Sequence, residues 1–138
     1  MTGSERSLAL LLRIVGVLSV SAIVPACMPF AWMETIHEGL GLGELPDAKI
    51  THYLTRSLSL FYAAHGALMI FVSYDVPRYL PVLRMTAWIA FGFGIGLLAI
   101  DLSAGLPWFW VALEGPFPIV CGVVLLVLTS RVEEKHAS

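Results

Sequence analysis

The sequence predicts an all-α membrane protein, a four-transmembrane-helix bundle with a short interfacial helix between the first and second spans. Three observations carry this. Hydrophobic residues make up 58% of the chain and charged residues 13%, against about 25% charged in an average soluble domain. The apolar residues gather into four runs of the length that crosses a hydrocarbon core, about 20 residues for roughly 30 Å. The longest interval between them, Met28–Arg56, holds four of the ten acids and two of the four histidines.

Little chain is left over, so the 138 residues are expected to form a single integral membrane domain, 1–138, with spans at about 8–28, 53–74, 82–102 and 107–130. A net charge of −2 without a basic cluster argues against nucleic acid as a partner.

The first span, 8–28, follows a short flank containing Arg6. Its end, Val24-Pro25-Ala26-Cys27, resembles a bacterial lipoprotein cleavage box. Arg13 interrupts the apolar run and Pro25 is unusual before such a cysteine, so the span is expected to stay uncleaved. Arg13 lies near the inner end, where it either snorkels to the interface or pairs with Asp75.

Pro29 and Trp32 then suit a membrane interface. Trp32, Ile36 and Leu40 recur at helical spacing with Glu34 and Glu38 displaced around the helix, which predicts an amphipathic helix lying on the membrane. Gly39, Gly41 and Gly43 weaken the helix, and Pro46-Asp47 marks a turn. His37-Glu38 is not the zinc-protease motif, because no second histidine follows three residues after Glu38. No metal site is assigned.

In the second span Arg56, Ser59, Ala63, Gly66, Ile70 and Ser73 share one face. Small residues let helices approach closely in lipid, so this face should point into the bundle. His65 lies nearly opposite, among Leu58, Phe61, Leu68 and Val72. It is either a neutral histidine bonded to a neighbouring helix or a polar or proton relay. Two prolines break the turn Tyr74–Pro81 before the third span. Gly92-Phe93-Gly94-Ile95-Gly96 is not a nucleotide loop, since no predicted strand precedes it. Ala90, Gly94 and Asp101 share a face suited to close helix packing. The fourth span opens on the aromatic anchor Trp108-Phe109-Trp110 and is interrupted by Glu114-Gly115-Pro116-Phe117-Pro118. A helix starting at Pro116 would be short before Arg131, so one kinked span is expected.

Lysine and arginine placement sets orientation, because cytoplasmic loops carry the excess. Arg6, Arg78, Arg84, Arg131 and Lys135 then lie inside, and Lys49 and Arg56 outside. Both termini are expected in the cytoplasm and the protein in the bacterial inner membrane. Cys27 and Cys121 fall at different depths, which makes a disulfide between them unfavourable.

On this layout Arg56, Asp101, Glu114, His37 and Glu38 converge at the outer face, and Trp32, Trp108 and Trp110 rim a small pocket. One charge near a helix centre costs about 2.5–3.5 kcal/mol on insertion scales. Two opposite charges at about 4 Å recover about 4 kcal/mol at an effective dielectric of about 20. Arg56 is therefore expected to pair with Asp101 or Glu114, Asp101 foremost, and Glu114 to face the hydrated pocket.

Leu11-Leu12-Arg13-Ile14-Val15-Gly16 and the four short spans resemble the DoxX-like group of small bacterial membrane proteins. His37-Glu38-Gly39-Leu40-Gly41-Leu42-Gly43, with Tyr53-Leu54-Thr55-Arg56-Ser57, is similar to a bacterial family of four-span proteins with no assigned activity. Neither resemblance implies a catalytic residue.

The expected function is that of a non-catalytic membrane protein, an accessory subunit or a binder of a small lipid- or quinone-like amphiphile. Ligand-binding residues would be Glu114, Asp101, Arg56, His37, Glu38 and Trp108. One alternative is a small homo-oligomeric transporter or channel, resting on His65 and the small-residue faces. Another is a membrane enzyme using His37, Glu38 and Glu114 for acid–base work, which match no catalytic motif. No cofactor is assigned. Partners would be membrane lipid, the amphiphile, and further copies or a larger membrane complex.

Overall fold

The computed structural model describes residues 3–137, and every regular element among them is a helix. The chain termini, expected on the cytoplasmic side, lie outside the described residues. In order the helices are α1 (Gly3–Val20), α2 (Ile23–Cys27), α3 (Phe30–Gly39), α4 (Lys49–Val72), α5 (Leu80–Ala104), α6 (Trp108–Glu114) and α7 (Pro116–Ala137). They fall into two compact units, residues 11–74 in one and residues 3–10 together with 75–137 in the other, so the first residues of α1 belong with α5, α6 and α7.

Three stretches are long and apolar enough to cross a membrane: Gly3–Cys27, Leu80–Ala104 and Trp108–Lys135. Helix α4, expected as a span, has the length at 24 residues but is not among them. Lys49, His52, Arg56 and His65 on this helix lower its apolar character.

In the Leu11–Tyr74 unit, the α1–α4 pair is built on small residues. A Cβ on Gly16 would stand 2.7 Å from Ile70 Cγ1 and 2.9 Å from the Gly66 carbonyl oxygen. The two backbones therefore touch, a contact that side chains on either glycine would prevent. The predicted inward face of α4 is buried at Ala63, Gly66 and Ser73, whereas Arg56 near its N-terminal end is exposed. The first span is not one helix. Pro25 lacks the N–H that would bond Ser21 and its ring crowds that carbonyl; the Ser21 carbonyl instead accepts the Val24 N–H at 3.0 Å. Helix α3 covers the predicted amphipathic segment and leaves Trp32, Ile36 and Leu40 exposed.

In the other unit α5 and α7 pack antiparallel. A Cβ on Gly122 would meet Ala87 and Phe91, and one on Gly94 would meet Gly115 and Ile119. One on Gly115 would meet Leu98. The core at the opposite end holds Leu83, Leu125 and Val132, with Leu8 from the start of α1. Thr129 is buried among them and turns its hydroxyl back to the Leu125 carbonyl at 2.9 Å. At the rim Arg84 donates to both carboxylate oxygens of Glu133, at 3.0 and 3.1 Å.

The fourth apolar stretch, expected as one kinked span, runs Trp108–Lys135 and is interrupted only at Gly115, whose φ −71° and ψ −50° stay helical, between α6 and α7. Pro116 begins α7, where its missing N–H is no loss. Helix α7 runs on to Ala137, but its extension past Ser130 carries Arg131, Glu133, Glu134 and Lys135, and the apolar stretch long enough to cross begins at Trp108.

Candidate functional site

Between Arg84 and Arg131 the chain carries two charged residues, Asp101 and Glu114, and no lysine, arginine or histidine. The α5–α7 register brings both acids to one level. Leu98 packs on Gly115, so one helical turn further along α5 reaches Asp101 as α6 is followed back from Glu114. Their charges are within electrostatic reach of each other.

Asp101 is 2% exposed, and its Oδ2 has no hydrogen-bond partner among the described residues. The backbone holds it there. Gly105, with φ 68°, ends α5 in the left-handed conformation; its N–H bonds the Leu102 carbonyl at 3.3 Å, and the Leu106 N–H bonds the Asp101 carbonyl at 3.2 Å. This paired closure is a Schellman motif, which a glycine makes cheap. Asp101 thus sits in the last turn of a helix, where the carbonyl dipoles already disfavour negative charge.

Glu114 is half-buried and ends α6. The Trp110 Nε1–H donates to its Oε2, a contact that the four-residue helical spacing allows. Pro107 opens α6, its carbonyl accepting the Trp110 N–H at 2.9 Å. Trp108 is exposed, and its ring meets Phe109 edge-on with centroids 6.4 Å apart. Prolines 116 and 118 supply no N–H to the carbonyls of Ala112 and Glu114, so this corner is rich in oxygen acceptors and poor in donors.

The remaining predicted site residues belong to the Leu11–Tyr74 unit. Arg56 points Nη2 at the Met28 carbonyl, 3.5 Å away. The His37 Nδ1 lies 2.8 Å from the Gly43 carbonyl. A carbonyl only accepts, so Nδ1 carries the proton, and His37 clamps the loop that Gly41 and Gly43 turn at φ 73° and 88°. Glu38 is exposed beside it. The His65 ring is exposed on α4 near Phe61 and Leu68 in sequence and makes no hydrogen bond among the described residues. The Arg13 guanidinium, expected at the interface or at Asp75, bonds Ser73 Oγ at 3.2 Å and lies 5.3 Å from the Tyr74 ring centroid.

One grouping was not foreseen. His52 at the start of α4 stacks on Phe30, with centroids 4.0 Å apart, and its Nε2 is 2.7 Å from Asp47 Oδ1. The signal for it was an acid in the turn just ahead of a helix. Among the described residues no group of three or more His, Cys, Asp or Glu stands ready to hold a metal ion. No family model, curated protein or solved structure matches the chain.

Proposed function

We propose that the chain is a small non-catalytic integral membrane protein that binds an amphiphile at the Asp101–Glu114 corner. In this reading α4 serves as a fourth span, α3 lies in the interface through Trp32, Ile36 and Leu40, and the corner faces the outer side of a bacterial inner membrane. The observation that carries the binding role is Asp101. Its Oδ2 is buried without a donor among the described residues; burying charge uncompensated is costly, and a protein keeps such a group where something else is to satisfy it. Exposed Trp108 and half-buried Glu114 give an approach to it from the membrane boundary, where an amphiphile presents its head.

Native mass spectrometry of protein purified in mild detergent tests the proposal. Wild type should retain an added mass of lipid or quinone size, and the Asp101→Asn, Glu114→Gln double variant should lose it. Equal retention by both proteins would remove these acids from the site, and a wild type without added mass would sink the binding role.

A further inference from the structure

Granting an amphiphile site at this corner, we infer that the head it selects is an organic cation, an alkylammonium rather than a neutral, anionic or metal-borne group. Charge balance is the first argument. The stretch from residue 85 to residue 130 contains two acids and no base, and the fold brings those acids together at the α5–α6 end rather than dispersing them. A ligand of positive charge is what this corner lacks.

The second argument is the state of Asp101. Acidic pairs on protein surfaces are solvated and ask for nothing, but Asp101 is all but excluded from solvent and has an oxygen without a donor. The Glu114 oxygen, by contrast, takes the Trp110 N–H. A head lodged against Glu114 would place positive charge where the buried carboxylate and the carbonyl end of α5 both favour it.

The third argument separates an organic cation from a metal ion. Hard cations take six or more oxygens, or near-octahedral coordination with retained water. The described residues supply no cluster of three metal-binding side chains. Helix α6 supplies indole instead: Trp110 bonds Glu114, and the exposed Trp108 lies on the same helix. Indole faces attract large, weakly hydrated ammonium groups, and quaternary ammonium is the ligand such surfaces favour.

The test uses four probes with the same ten-carbon alkyl chain: decyltrimethylammonium, decylphosphocholine, decyl sulfate and decyl maltoside. Binding to the intact protein is followed by tryptophan fluorescence and by native mass spectrometry. Decyltrimethylammonium should bind at least about tenfold more tightly than decyl maltoside, which is a difference of about 1.4 kcal/mol. In Asp101→Asn and in Glu114→Gln the ratio of decyltrimethylammonium affinity to decyl maltoside affinity should fall toward one. Equal binding of the cationic and neutral probes, or a preference for decyl sulfate, overturns the cation assignment and leaves the amphiphile site standing. Failure of all four probes to saturate overturns both.

Discussion

Gly94 and Gly115 form the closest approach between α5 and the α6–α7 junction: a Cβ on Gly94 would lie 2.6 Å from the Gly115 carbonyl oxygen and 2.9 Å from the Ile119 backbone nitrogen. No flexible side chain can give way there, because backbone occupies the space. Gly92, two residues earlier, faces nothing within 4 Å.

The two glycines therefore predict opposite outcomes for one methyl group. Gly94→Ala should destabilise by about 1–3 kcal/mol, the usual cost of overpacking. Gly92→Ala should be neutral or stabilise by roughly 0.5–1 kcal/mol, because alanine loses less freedom in a helix. Reversible unfolding in detergent measures both. Equal effects would mean that α5 does not meet the junction at Gly94.

Arg13 and Tyr74 should be energetically coupled. The guanidinium lies over the ring and also bonds Ser73 Oγ. A double-mutant cycle of Arg13→Gln with Tyr74→Leu should give about 0.5–1 kcal/mol, the range for an exposed cation–π pair. Additive losses would show that the arginine leaves the ring in the membrane.

Helix α4 is the decisive element for topology. It has the length of a span but also Lys49, His52, Arg56 and His65. If it crosses, reporters fused at Ala48 and at Asp75 should fall on opposite sides, outside and inside. Reporters on the same side would make α4 a surface helix and reduce the spans to the three most apolar stretches.

How far the sequence could be read follows from how far each signal reaches along the chain. The inward face of α4 was legible in part: small residues at helical spacing mark a close approach and Ala63, Gly66 and Ser73 are buried, but Arg56 is exposed and Val72, expected on the His65 face, is buried. Of Gly92, Gly94 and Gly96, Gly94 alone has a neighbour within 4 Å. That distinction was foreseen in part, from its shared face with Ala90 and Asp101. The break at Ser21 and the start of α7 at Pro116 are local proline effects, and the interruption at Gly115 within the Trp108–Lys135 stretch was legible from Pro116 and Pro118. The Asp47–His52–Phe30 grouping was not legible. It depends on the path of the chain between α3 and α4, which periodicity does not describe. The candidate acids were legible for a simple reason: they interrupt apolar runs, where a charge is conspicuous.

The last prediction concerns the cost of holding Asp101 in the empty protein. Oδ2 is unpartnered among the described residues and the side chain is 2% exposed, and a charged oxygen buried without a donor is costly. Asp101→Asn keeps the shape and removes the charge, so in detergent free of added amphiphile it should unfold at the same temperature as wild type or a higher one. Glu114 should behave differently, because its oxygen accepts the Trp110 indole N–H. Glu114→Gln retains an acceptor and should change little, whereas Glu114→Leu leaves that donor unsatisfied and should cost about 1–3 kcal/mol. Trp110→Phe combined with Glu114→Leu should recover part of the loss, since both ends of the bond are then gone. The opposite result at Asp101 is equally informative. A loss of about 3–5 kcal/mol for Asp101→Asn is what stranding a buried basic partner produces. It would mean that the chain neutralises this acid by itself, as first expected from Arg56, and that no ligand is needed to do so.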